Sequence, residues 1–211
     1  MIQEARERRR RGRPPGPGVD PQERRRQLLD AAETAIRTNG PDVALADVAA
    51  QAGLTRSAVY AAFTDRNALL DALAHRHARL IVEQVVTIAG GVDDPAEQTR
   101  AAIDTLAAWF EDEPELARAL SAHLLPVAPA ADGMVIGTLT GILVGGFTSR
   151  GLDPGPAQTW AHALVGAISS TITWWSATRT ISRDEVVDHL FLLIWSGFSG
   201  MDTPVGDTPL P

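Results

Sequence analysis

The chain has 211 residues, 45% of them hydrophobic, which suits one or two domains with a sizeable core and excludes a disordered chain. It has no cysteine, which excludes a disulfide scaffold, a thiolate metal site and a thiol nucleophile and fits a reducing cytoplasm. The net charge of −7 is divided unevenly: residues 1–66 hold 12 Arg against 9 acidic residues, and residues 67–211 hold 7 Arg against 17. A basic head on an acidic body means that the head is the part suited to a polyanion.

Residues 1–20 form an Arg-, Pro- and Gly-rich arm with little to bury, expected to be disordered when free. Its basic start runs into Gly and Pro, so no signal peptide is expected. Within it, Arg11-Gly12-Arg13-Pro14 resembles the core of an AT-hook, in which two Arg side chains enter a narrow minor groove. A solubilising tail is the alternative. All 19 basic residues are Arg, and with abundant Ala, Gly and Pro this points to a GC-rich, bacterial coding sequence.

Asp20 and Pro21 open a first helix that stops at Gly40, with an apolar stripe through Leu28, Leu29, Ala32, Ala35 and Ile36. Leu45 to Gln51 reads as a short second helix. Gly53 breaks it, and Thr55 caps a third that runs to about Phe63. Two short helices joined by a tight Gly turn make a helix-turn-helix over about 44–63, whose second helix enters the major groove of DNA. Val48, Leu54, Val59 and Phe63 are expected to close the head's core with Leu29 and Ile36.

A fourth helix starts near Arg66 and runs to Gly90-Gly91, long enough to join head and body in one rigid piece. Further helices open at Asp93-Asp94-Pro95 and at Pro114. Residues 133–149 and 154–178 carry no formal charge and read as buried helices, not membrane spans. In the first of them, Gly137, Gly141 and Gly145 leave one face bare, so that another backbone can approach closely. Asp153-Pro154 opens the second. Ser182 to Glu185 then forms a capping box for a final helix. That helix has one stripe of Val186, Leu190, Leu193 and Ile194, and another of Val187, Phe191, Trp195 and Phe198. A helix apolar nearly all round needs cover nearly all round, and a second subunit is the expected second cover. Residues 202–211 read as a frayed tail.

The fold expected is all-α, a three-helix head followed by a helical bundle, about nine helices in all. The head carries Leu28-Leu29-Asp30-Ala31-Ala32, Gly40, Val48-Ala49, Ala52-Gly53-Leu54-Thr55, Tyr60, Phe63 and Leu69-Leu70. In residue type and spacing it resembles the head of TetR-family transcriptional regulators over residues 21–81. The stretch 82–201 is similar to the family's body more loosely. The resemblance implies nine helices, a homodimer through the last two, a palindromic DNA operator and a small-molecule effector pocket in the body.

Carried over position by position, the resemblance makes Thr55 the cap and a phosphate contact, and Arg56 and Ser57 base readers. Tyr60 becomes a phosphate contact, with a core tyrosine as the alternative, and Arg66 a phosphate contact where a Lys is usual. Arg56 is the recognition-helix side chain able to grip guanine O6 and N7 with two donors. Ala44, Ala46, Ala61 and Ala62 depart from the larger residues common in the family, so the head is poor in side-chain contacts and the arm is a candidate second grip.

Trp109, Phe110, His123, Leu124, Met134, Thr138, Phe147 and Trp174 are candidate ligand-lining residues, with ordinary core as the alternative for each. No HExxH, Walker loop or GxSxG is present, and no enzyme activity, metal or cofactor is expected. A ligand-independent architectural DNA-binding protein is the rival reading; a helical enzyme leaves the head unexplained.

Overall fold

The computed structural model describes residues 20–124 and 132–199. The described residues form helices and no strand. Helix α1 spans Pro21–Asn39. Asp20 accepts the Gln22 N–H at 3.0 Å to cap it. Gly40, at φ 92°, ends it where a side chain would be strained. Helix α2 (Leu45–Gln51) and helix α3 (Arg56–Ala62) meet at Gly53, which takes φ 64° for the tight turn. Helix α4 (Arg66–Ala89) is capped by Asp65, whose carboxylate accepts the Ala68 N–H at 2.8 Å.

In the body, helix α5 (Pro95–Asp112) is capped by Asp94, and helix α6 (Pro114–Leu124) follows almost at once. Helix α7 spans Asp132–Ser149, helix α8 Ala157–Thr178 and helix α9 Arg183–Ser199. The expected start of α8 at Asp153-Pro154 comes too early. Asp153 Oδ1 instead accepts the Gly155 N–H at 3.0 Å, and this local turn delays the helix by three residues. The capping box before α9 forms, with the Ser182 N–H on Glu185 Oε2 at 2.8 Å and the Glu185 N–H on Ser182 Oγ at 3.2 Å. The Ser182 N–H and the Ser182 hydroxyl, both donating to Glu185 Oε2, hold the exposed Glu185 carboxyl below its ordinary range.

Two hydrophobic cores result. The first joins Leu28, Ile36, Val48, Val59 and Phe63 of the head to Leu69, Leu70 and Leu73 of α4 and to Leu116 and Leu120 of α6. The head therefore does not close on its own three helices: α6 supplies part of its core. Leu28 is fully buried, whereas Leu29 and Leu54, expected in the core, pack at its edge. The second core gathers Ile103, Ala107 and Phe110 of α5, Ile172 and Trp175 of α8, and Val186, Leu190 and Ile194 of α9. Trp109 and Leu124 pack against both.

Two expectations about apolar faces change. A Cβ at Gly137, Gly141 or Gly145 would meet nothing within 4 Å, so among the described residues no backbone approaches that face of α7. Leu193 is 66% exposed, not a partner of Val186 and Leu190 in the core. Neighbouring Leu192 is exposed too, and so is Trp174 on α8. No helix among the described residues is long and apolar enough to cross a membrane.

Candidate nucleic-acid interface

Helix α3 stands on the first core through a single fully buried residue, Val59, which turns its other side outward. Thr55 begins it, with Oγ1 accepting the Ala58 N–H at 3.4 Å and lying 2.9 Å from Ser57 Oγ. The two hydroxyls thus lie side by side at the exposed start of the helix. Arg56 is exposed, and its guanidinium has no partner among the described residues. Tyr60 is 58% exposed, which fits a contact residue and excludes the core alternative. Thr55, Arg56, Ser57 and Tyr60 therefore share a face of the head that the described residues leave open.

Arg66 differs from expectation. Its Nε donates to the Val43 carbonyl at 3.0 Å and its Nη2 to the Pro41 carbonyl at 2.7 Å. Two of its nitrogens hold the loop that enters α2, which makes it a clamp within the head. Arg24, Arg25 and Arg26 are likewise engaged. Arg24 Nη1 bonds Gln27 Oε1 at 3.1 Å, Arg26 pairs with Glu23, and Arg25 Nη1 donates to the Ala62 carbonyl at 2.9 Å. The sequence carries no signal for the bonds that Arg25 and Arg66 make, because the partners are backbone carbonyls 23 to 37 residues away in the chain. Arg11 and Arg13 lie outside the described residues.

The ligand candidates do not converge on one chamber. Trp109 and Phe110 meet edge to face at 5.1 Å, and Trp109 and Leu124 lie between the two cores. His123 Nδ1 sits 2.7 Å from Asp71 Oδ1, tying α6 to α4. Thr138 is half-buried on α7, and Phe147 is buried against Trp160. Trp174 is 51% exposed and faces away from any interior site. Met134 lies on α7, beyond the described side chains. A half-open cleft of about 480 Å³ lies between α5, α7 and α9, lined by Pro95, Ile142, Leu143, Phe147, Arg150 and Trp195 among others; of the seven candidates whose side chains are described, Phe147 alone reaches it. Among the described residues, no group of three or more His, Asp or Glu side chains could hold a metal ion.

Ion pairs edge the apolar seam between head and body. Arg37 near the end of α1 grips Glu113 with two parallel bonds, Nε to Oε2 at 2.8 Å and Nη2 to Oε1 at 2.9 Å. Arg76 of α4 pairs with Asp30 and Glu33 of α1. Buried beneath them, His77 Nε2 approaches Glu33 Oε1, and the His77 ring lies 5.4 Å from that of Trp109.

An all-helical chain with an exposed recognition helix on a Gly-turned pair, seated on a helical body, defines a helix-turn-helix DNA-binding protein. The comparisons carry this to the family. Residues 28–73 match the family model of bacterial regulatory proteins of the tetR family, and residues 87–208 match that of the tetracyclin repressor-like C-terminal domain. The chain belongs to the TetR family of transcriptional regulators, non-enzymatic DNA-binding proteins.

It is similar to an uncharacterised HTH-type transcriptional regulator, Rv0472c, of Mycobacterium tuberculosis, with 27% identity over 85% of this chain and 79% of that protein. In fold it is similar to a TetR-family transcriptional regulator from Pectobacterium atrosepticum, with TM-score 0.68, 22% identity, and coverage of 86% of this chain and 95% of that one. It is also similar to the transcriptional regulator FadR of Bacillus subtilis, solved in complex with stearoyl-CoA. There the TM-score is 0.64 and the identity 20%, over 82% of this chain and 98% of that one.

Proposed function

We propose that the protein is a dimeric, ligand-released repressor. Residues 21–81 act as the DNA-binding domain and residues 82–201 as the sensing and dimerisation domain. Each head of the dimer places α3 in the major groove of one half of a pseudo-palindromic operator, with Arg56 and Ser57 on bases and Thr55 and Tyr60 on phosphates. The arm with Arg11 and Arg13 is a second grip in the minor groove.

The observation that carries the ligand coupling is the shared packing of Trp109 and Leu124 against both cores. Because α6 belongs to the head core and α5 to the body core, a ligand that moves α5 or α6 cannot leave the head untouched. It acts only through its difference in affinity between the DNA-fitting state and the released state. The apolar character of the body, and the stearoyl-CoA held by the FadR neighbour, make long-chain acyl compounds the first effector class to try.

The test joins a thermal-shift screen of acyl-CoAs and free fatty acids to footprinting of DNA fragments selected by the protein. A single short inverted repeat, protected without ligand and exposed with it, is the expected result. A bound ligand that leaves operator affinity unchanged would refute the coupling. Diffuse coverage without a repeat would favour an architectural protein instead.

A further inference from the structure

The helix-turn-helix is a small unit with weak ends. Helices α2 and α3 have seven residues each, too few to hold their own conformation in water. At the start of α2, Ala44 has no side-chain acceptor. Only the return half of a capping box forms, from the Ala44 N–H to Asp47 Oδ2 at 3.0 Å. At the end of α3, the Ala62 carbonyl is one of the orphan acceptors that every helix leaves.

Two arginines from outside the motif act on these two ends. Arg66, the first residue of α4, holds the entrance through the carbonyls of Pro41 and Val43, one edge of its guanidinium serving both. Arg25, in the first turns of α1, holds the exit. Its Nη1 donates to the Ala62 carbonyl at 2.9 Å, and its guanidinium lies 4.3 Å over the Phe63 ring. Between them, Gln27 Nε2 donates to the Ala52 carbonyl at 3.3 Å, beside the turn.

We infer that Arg25 and Arg66 are positioning residues for operator reading. They fix the entrance of α2 and the exit of α3, and so set the angle at which Arg56 and Ser57 meet base edges. The inference rests on the DNA-binding reading of the head. Both roles need an arginine: a Lys ammonium carries the same charge but has no planar fork for two carbonyls and no flat face to stack on a ring. A head with a missing cap and small residues around its recognition helix has few other means of holding this angle.

Charge-conserving variants separate positioning from phosphate contact. Full-length wild type, Arg25→Lys and Arg66→Lys are compared on a duplex selected by the wild type and on a random-sequence duplex, each over a range of salt. Positioning predicts that both variants lose at least about tenfold on the selected duplex, the scale of one charge-assisted hydrogen bond. Affinity for the random duplex and the salt slope on both stay at wild-type values, because no phosphate contact is removed.

Wild-type affinity in the Lys variants, or a salt slope lowered by about one per substituted contact, would overturn the inference in favour of phosphate binding. A variant already melted at the assay temperature also overturns it, since the residue would then hold the fold together and not the reading angle. If the wild type itself selects no sequence, the DNA-binding reading of the head fails first, and that outcome is visible before any variant is measured.

Discussion

His77 Nε2 lies 3.2 Å from Glu33 Oε1, and both residues are buried at the seam where α1 of the head meets α4. The contact is close in distance but off-line in angle, so it falls short of a well-formed hydrogen bond. Burial pushes the Glu33 carboxyl up. The contact with His77 and the charges of His77, Arg76 and Arg37 outweigh burial and hold it below the ordinary 4.5.

A carboxylate held low in the folded state stabilises the protein above its unfolded value and stops doing so as pH falls through the folded one. Glu33→Gln is therefore expected to lower stability by about 1–3 kcal/mol near neutral pH, the range for a bond to a charged group. The difference from wild type should be full above about 4.5 and shrink as the medium is acidified below that. Paired urea titrations at stepped pH measure it. A difference independent of pH would show that Glu33 contributes by packing alone.

Trp109 touches the same histidine and packs against both cores. Trp109→Ala should cost about 3–5 kcal/mol, the usual range for removing a packed tryptophan. The informative variant is Trp109→Leu, which keeps an apolar filler and loses the ring contact with His77. It is expected to keep the fold, by circular dichroism, and to weaken the effect of any effector on operator binding. Undiminished effector response in this variant would remove Trp109 from the coupling route.

Arg56 is the exposed guanidinium at the start of α3. Arg56→Ala should cost about 1–3 kcal/mol on the selected operator and less on random duplex, relaxing base preference. Competition binding with the two duplexes decides it; equal losses on both would make Arg56 a phosphate contact. Removing residues 1–18 should act in the opposite way, weakening both duplexes and flattening the salt dependence.

Most element ends were legible because each has a local chemical cause. Asp20 with Pro21, Thr55, Asp94 with Pro95 and Ser182 with Glu185 mark helix starts, and Gly40 and Gly53 take the positive φ that ends or turns a helix. Long-range choices were not legible. A sequence cannot say that Arg25 will reach across 37 residues to the Ala62 carbonyl. Nor can it say that α6 will complete the head core through Leu116 and Leu120. A helix apolar all round also hides which leucine faces its own protomer, which is why Leu193 was misplaced.

That misplacement sharpens the dimer prediction. The exposed side of α8 carries Thr159, Ala163, Gly166, Ser170 and Trp174, with no formal charge, and α9 adds Leu192 and Leu193. A charge-free strip with two exposed leucines and a tryptophan is costly to leave in water and suits a second copy of the same surface. Within one protomer Leu193 is mostly solvated, so Leu193→Glu should change protomer stability by no more than about 0.5 kcal/mol. Across a two-fold interface it would remove about 1.5–3 kcal/mol of burial from each subunit and leave two carboxylates facing apolar surface. Sedimentation should therefore report a folded monomer, with operator affinity reduced because one head grips only one half-site. A variant that still sediments as a dimer at micromolar concentration would place the subunit interface elsewhere, and the bare face of α7 at Gly137, Gly141 and Gly145 would be the next surface to substitute.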